Sequence, residues 1–172
     1  MTELKYKLNL GAGYSPLPDM INVDIAPLEG INVVHNLEVF PWPWPDESVE
    51  EVFSSHFLEH IHDIFGFFNE LYRVMKVGAK AKFITPYGGS VRAWQDPTHV
   101  RPIFPQTYQY LNRKWREDNK LTHYPVTCNF LSVCEFALNS EWHNRSTEAR
   151  NFALVNYWNA ADDLHCTLCK MP

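Results

Sequence analysis

The chain has 172 residues, a length that fits one domain built around one hydrophobic core. Hydrophobic residues make up 45% of it and charged residues 20%, which excludes general disorder. The net charge of −5 has the wrong sign for a protein that lives on nucleic-acid phosphates.

Short apolar runs in the first half predict strands. Each run is bounded by Gly, Pro, Asn or Asp, as strands that end in turns should be. Between the fourth and fifth runs, apolar residues at three- and four-residue spacing from Ile61 to Met75 predict an amphipathic helix, with Gly78 as its stop. A strand, a helix and a strand in this order form a right-handed unit with parallel pairing. The five runs are 6–10, 21–25, 31–35, 49–55 and 81–85.

The second half of the chain has a different sequence pattern. Residues 87–102 lack periodicity and are rich in turn formers, which is typical of a functional loop. A helix is predicted from Pro105 to about Arg116, and two strands, at 130–138 and 164–171, complete the sheet. Trp42 and Trp44, which alternate with prolines, are expected to pack over the sheet edge rather than to form a central strand.

A glycine turn and a carboxylate follow the first two predicted strands. A Gly-x-Gly turn, Gly11 to Gly13, ends the first strand, and Asp24 ends the second, where its carboxylate can accept hydrogen bonds from both hydroxyls of a ribose. Pro16 and Pro18 interrupt any helix after the turn, so no helix N-terminus is available to hold a pyrophosphate. These residues predict a site for a nucleoside ligand without phosphates.

At this point the sequence resembles the class I S-adenosylmethionine-dependent methyltransferases, in particular small members of the methyltransferase type 11 group. The resemblance rests on an ordered set of segments in roughly the first half of the chain. The chain departs from the family pattern at Asn36, where the family usually has Asp, and in the connection after the first strand, which is too short for the usual first helix. The matching segments are 8–13, 22–24, 36–37, 40–48, 52–60 and 70–78.

The resemblance implies an α/β, Rossmann-like class I methyltransferase fold. We expect a mainly parallel sheet with an antiparallel C-terminal strand and a reduced first helix, in a single domain over 1–172 with an acceptor-binding insertion at about 86–118. The implied cofactor is S-adenosylmethionine. Its implied contacts are Leu10, Gly11, Ala12, Gly13, Asp24, Ile25, Asn36, Leu37, Ser55 and His56.

The implied reaction moves a methyl group from the cofactor to an oxygen or nitrogen nucleophile of an acceptor. Such a transfer needs alignment and exclusion of water, and it needs a general base only if the acceptor is protonated. The loop segment from Asp96 to Arg101 is similar to a stretch that follows the fifth strand in relatives. It is alternatively a loop whose Asp and Thr satisfy each other. The candidate catalytic residues are His99, Asp96 and His56, and the candidate acceptor-binding residues are Tyr87, Trp94 and Arg101.

Two other functions stay open on the sequence alone. One is a catalytically inactive S-adenosylmethionine-binding module with a regulatory or scaffolding role, and the other is a nicotinamide-dependent oxidoreductase, which the missing phosphate site disfavours. The acceptor is expected to be a small molecule or an exposed group, because the acidic balance argues against nucleic acid. The sequence gives neither the acceptor's identity nor the oligomeric state.

The composition also predicts a compartment. No stretch approaches the roughly 18–20 apolar residues that span a bilayer, the first residues lack an apolar signal core, and 4 Cys are too few for a disulfide framework. We therefore expect a cytoplasmic protein with no membrane partner. Cys166 and Cys169 have the spacing of a metal-binding pair, but a strand would point them to opposite faces, so no metal site is predicted.

Overall fold

A seven-stranded mixed sheet organises the chain, in the order β3-β2-β1-β4-β5-β7-β6. The structure is a computed structural model that describes residues 5–172. Residues 1–4, part of the segment expected to lack a signal core, lie outside this range. Strands β1 to β5 pair in parallel, and β7 pairs antiparallel with both β5 and β6. The predicted mainly parallel sheet with an antiparallel C-terminal strand is thus confirmed. The strands are Tyr6–Leu10 (β1), Ile21–Asp24 (β2), Val33–Val34 (β3), Val49–Ser55 (β4), Met75–Pro86 (β5), Phe130–Leu138 (β6) and Ala161–Lys170 (β7).

Few helices accompany these strands. They are Ile64–Val74 (α1), Pro105–Gln109 (α2), Arg113–Asp118 (α3) and Thr147–Asn156 (α4), with 3₁₀ turns at Leu58–His60, Val91–Ala93 and Ser140–Trp142. Residues 11–20, between β1 and β2, contain only turns and irregular backbone, which confirms that the first helix is reduced. Among residues 5–172, no helix combines the length and apolar character needed to cross a membrane.

The predicted end of the central helix is wrong. The α1 helix begins after Asp63, whose Oδ1 accepts a hydrogen bond of 2.8 Å from the Gly66 N–H, and ends at Val74. Met75 already pairs with Val49 in the sheet, so the register of β5 overrides the helical spacing. Gly78 lies inside β5 with a φ of +82°. The predicted helix at 105–116 is in fact two short helices, and α4 was not predicted at all.

The two faces of the sheet differ in character. Along β5, Ala81 and Phe83 are fully buried, whereas Lys80 and Lys82 are exposed. The cross-strand partners continue this division, since Leu168 opposite Ala81 is buried and Thr167 opposite Lys82 is half-buried. Parallel sheets usually carry helices on both faces and read as continuous apolar runs. Here polar and apolar residues alternate because helix α1 covers one face and solvent reaches the other.

Two tryptophans that precede β4 are part of the core. Trp42 and Trp44 are 2% and 5% exposed and meet edge to face at 6.2 Å between ring centroids. Trp42 also packs on Phe67 of α1 at 5.3 Å, and its backbone N–H donates to the Glu70 carboxylate at 2.6 Å. These contacts hold the segment that precedes β4 against α1.

Candidate functional site

Two glycines shape the turn that follows β1. Gly11 has a φ of +66°, and a Cβ there would lie 2.3 Å from the Phe57 ring, so only glycine fits against it. Gly13 has a φ of +49°, and no atom lies within 4 Å of where its Cβ would stand. The backbone at Gly13 is therefore open to a ligand.

Buried asparagines take the place of the missing first helix. Asn22 of β2 is 4% exposed, and its Oδ1 accepts hydrogen bonds from Asn9 Nδ2 at 2.9 Å and from the Leu17 N–H at 2.8 Å. Its Nδ2 donates to the Leu17 carbonyl at 3.0 Å, and Asn9 Nδ2 also reaches the Ser15 carbonyl at 3.2 Å. These bonds fix the connection from β1 to β2 without a helical layer, so the glycine turn keeps its shape.

Asp24 closes the same turn from the end of β2. Its Oδ2 accepts a hydrogen bond from the Gly13 N–H at 2.9 Å, and its Oδ1 accepts one from the Ala26 N–H at 2.9 Å. An ionised carboxylate has about four lone-pair sites, so two backbone bonds leave capacity for a pair of hydroxyl donors. Asp24 is thus held rigidly with its spare acceptors beside the glycines.

A cleft of about 430 Å³ opens along these strand ends. Its volume falls within the roughly 300–1,000 Å³ of small-molecule and cofactor sites. Seven of the residues implied as cofactor contacts line it, whereas Leu10, Ala12 and Ser55 are outside its lining. The full lining is Gly11, Gly13, Asp24, Ile25, His35, Asn36, Leu37, Glu38, His56, Phe57, His60 and Ile61.

Imidazoles and a buried carboxylate form the wall beyond β4. His56 lines the cleft with a side chain 38% exposed, and its Nδ1 lies 3.6 Å from Oε1 of Glu59. His99 Nε2 approaches the same oxygen at 3.9 Å, from a side chain that is 9% exposed. The Glu59 carboxylate, with that of Asp163, raises the pKa of His56 above its ordinary value. The structure therefore joins two predicted catalytic residues through Glu59.

The irregular loop after β5 reaches this wall. The Val100 N–H donates to the Glu59 carbonyl at 2.9 Å, and Thr98 Oγ1 lies 3.1 Å from His60 Nδ1. Asp96 Oδ1 accepts from both the N–H and the hydroxyl of Thr98, at 2.8 and 2.7 Å. The local Asp and Thr pairing foreseen as the alternative is therefore present. The other Asp96 oxygen, Oδ2, lies 3.9 Å from His99 Nε2.

The three candidate acceptor-binding residues are scattered. Tyr87 is 7% exposed and lines a separate cavity of about 290 Å³ near α4, where its hydroxyl donates to the Leu154 carbonyl at 3.3 Å. Arg101 lines a third cavity, of about 240 Å³, beside the start of α1. Trp94 is 57% exposed and donates from Nε1 to the Gly88 carbonyl at 2.9 Å. None of these three residues lines the cofactor-sized cleft.

Comparisons with known proteins bear on the fold of this chain. Residues 13–83 match the family model described as a methyltransferase domain. An S-adenosylmethionine-dependent methyltransferase from Archaeoglobus fulgidus is similar in structure, with a TM-score of 0.63 and 21% identity over 97% of this chain and 86% of that one. At this level of identity the likeness shows the fold, which is that of the class I S-adenosylmethionine-dependent methyltransferases.

Two further structures share the fold of this chain. One is an S-adenosylmethionine-dependent methyltransferase from Mesorhizobium loti, with a TM-score of 0.55 and 14% identity over 99% of this chain and 94% of that one. The other is Haemonchus contortus phosphoethanolamine N-methyltransferase 2 in complex with S-adenosylmethionine, with a TM-score of 0.50 and 14% identity over 100% of this chain and 50% of that one. No curated protein sequence matches this chain.

The residues of the cleft fit S-adenosylmethionine, the cofactor expected from the sequence. Asp24 keeps acceptors for the ribose hydroxyls, and the open backbone at Gly13 leaves room for the amino-acid part. The Asn36 side chain is exposed in the cleft, and its Oδ1 accepts a single hydrogen bond, from the Glu38 N–H at 2.9 Å, so one lone pair stays available to an adenine amine. The turn lacks a helix N-terminus, which agrees with a cofactor that has no phosphate.

Sequence reasoning missed several residues of this site. His35, Glu38, Phe57 and Ile61 line the cleft but are not among the expected cofactor contacts. Glu59 is not among the candidate residues either, although its carboxylate lies between His56 and His99. The available signal was the run from His56 to His60, in which three titratable side chains follow a buried strand.

Proposed function

We propose that the chain transfers a methyl group from S-adenosylmethionine to an oxygen or nitrogen nucleophile of a small molecule or an exposed group. The observation that carries this proposal is the cleft, which Asp24, Asn36 and His56 line together. When bound, the cofactor supplies a methyl group on a positively charged sulfur. An acceptor then has to approach from the side of the cleft that the cofactor leaves open.

The wall that contains His56 is the candidate acceptor side. His56 is more exposed than Glu59 and His99, and it both lines the cleft and contacts the Glu59 carboxylate. This position suits a group that accepts a proton from the acceptor while Glu59 stabilises the resulting imidazolium. His99 is more buried, with its Nδ1 3.1 Å from the Ala93 carbonyl, and suits a supporting role behind His56.

The segment at 86–118 is the candidate acceptor-binding insertion. Its loop contacts Glu59 and His60 through Val100 and Thr98, so a change in this loop alters the wall of the cleft. Trp94, in the same loop, has an exposed ring. A short domain of this kind has few other elements from which to build acceptor specificity.

A methyl-transfer assay tests the proposal. The chain is incubated with S-adenosylmethionine and a panel of phenols, carboxylic acids, amines and phosphorylated amines, and S-adenosylhomocysteine is measured by mass spectrometry. We expect acceptor-dependent product that disappears with Asp24→Ala and persists with Asp19→Ala, an exposed acid in the same turn. Cofactor binding without product for any acceptor would instead favour the inactive regulatory or scaffolding module.

A further inference from the structure

Three potential metal ligands meet beside the cleft. Glu59 and His60 belong to the 3₁₀ turn at Leu58–His60, and the loop after β5 brings His99 against them. One ligand atom from each residue lies within 4.8 Å of the other two. Within residues 5–172 this is the one group of three or more such side chains, and we call it the Glu59–His60–His99 cluster.

The buried carboxylate of this cluster lacks a hydrogen-bond partner. The Glu59 side chain is 2% exposed, and neither of its oxygens has a hydrogen-bond partner within residues 5–172. The nearest imidazole nitrogens, at 3.6 and 3.9 Å, are too far for hydrogen bonds. Burying a carboxylate without hydrogen bonds is costly, and a bound ion is one of the ordinary explanations of such a group.

Both imidazoles of the cluster are held through one nitrogen. His99 Nδ1 lies 3.1 Å from the Ala93 carbonyl, which fixes the tautomer that donates from Nδ1 and leaves a lone pair on Nε2. That Nε2 is the atom that faces Glu59. His60 Nδ1 lies 3.3 Å from the Thr98 carbonyl, and donation there leaves its Nε2 free in the same way. Metal-binding histidines typically donate their other N–H to a carbonyl or carboxylate in this manner.

We propose that Glu59, His60 and His99 bind one divalent transition-metal ion of the zinc type. Two imidazoles and one carboxylate are a known ligand set for catalytic zinc, which keeps a further coordination position open. Ligands of a tetrahedral zinc ion lie about 3.4 Å apart, so binding draws the three side chains closer than their 4.8 Å limit. Mg²⁺ and Ca²⁺, which prefer oxygen ligands, are not expected to occupy the site.

The position of the cluster gives the ion a role at the acceptor side. His60 also lines the cofactor cleft, so a metal ion held by the cluster would lie beside the space assigned to the acceptor. It would coordinate an oxygen or nitrogen nucleophile and lower the pKa of that nucleophile. This role rests on the proposed methyl transfer, whereas metal binding itself does not, and it is measured without cofactor or acceptor.

Metal titration of the whole chain tests the inference. After dialysis against a chelator, Co²⁺ is added and the visible absorption is followed, and Zn²⁺ binding is measured by calorimetry. We expect one equivalent to bind, with affinity at least about 100-fold weaker in His99→Ala and Glu59→Gln. Matched controls are His143→Ala, an exposed histidine outside the cluster, and Cys169→Ser, and both should bind like the wild type.

Three outcomes would overturn the inference. The first is that the wild type binds neither ion, and the second is that the Glu59 and His99 variants bind as tightly as the wild type. The third is a thiolate charge-transfer band in the Co²⁺ spectrum, which would assign the ion to cysteines. If circular dichroism shows that either variant is unfolded, the half-buried His60, changed to Asn, replaces it in the same titration.

Discussion

Asp24→Ala is the substitution that probes the cofactor site most sharply. In the wild type the carboxylate accepts from the N–H groups of Gly13 and Ala26 at 2.9 Å each and keeps lone pairs for the ribose. A hydrogen bond to a charged group contributes about 1.5–3 kcal/mol. Loss of about 3 kcal/mol of ribose binding weakens the affinity for S-adenosylhomocysteine by about 100-fold. Isothermal titration calorimetry measures this change directly.

Two controls separate binding from folding in this experiment. The substitution also strands two backbone donors, which costs about 1–2 kcal/mol of stability and lowers the melting temperature by a few degrees. Titration well below that temperature removes the folding contribution. Asp24→Asn, which keeps one acceptor oxygen, should lose less affinity, and the exposed Asp19→Ala should lose none. Unchanged affinity in Asp24→Ala would refute the assignment of the ribose position.

Three further predictions concern folding. Gly11→Ala should destabilise the chain by about 1–3 kcal/mol in urea unfolding, because its Cβ meets Phe57 at a positive φ, and a change under 0.5 kcal/mol would contradict this. Trp42→Ala should cost about 3–5 kcal/mol, whereas Trp94→Ala, which removes an exposed ring, should cost under about 1 kcal/mol; similar losses would contradict the division of the aromatic residues between core and surface. Burial opposes the charge on Glu70, but Arg73 and the Trp42 N–H outweigh it and lower the Glu70 pKa below 4.5. The stability that Glu70 contributes is therefore full above pH 4.5 and disappears as the pH falls through its folded pKa, so melting curves of wild type and Glu70→Gln should converge in acid.

The grouping of residues at the strand ends could be predicted because a parallel sheet brings these ends to one edge. Carboxyl ends of parallel strands meet at one edge of the sheet, so Gly13, Asp24 and Asn36 could be expected together from their positions alone. The loss of the first helix followed equally simply from Pro16 and Pro18. These inferences needed only local pattern and chain order.

The remainder depended on contacts between distant segments. The helix α1 ends at Val74 because Met75 pairs with Val49, a sheet register that helical spacing cannot reveal. Helix α4 was not predicted because its sequence lacks a clear apolar stripe. Its apolar residues are largely exposed, and only Ala153 is buried. The Glu59–His60–His99 cluster joins residues about forty positions apart in the chain, and its motif spacing therefore resembles no metal signature.

The structure of the chain with S-adenosylhomocysteine bound is the most direct test of the central claim. The account predicts the ribose hydroxyls on Asp24, the adenine beside Asn36 and Leu37, and the sulfur facing the wall that contains His56. It also predicts little movement of the turn at 11–20, because Asn9 and Asn22 hold it. Product bound outside the cleft, or bound in it without contact to Asp24, would contradict the account.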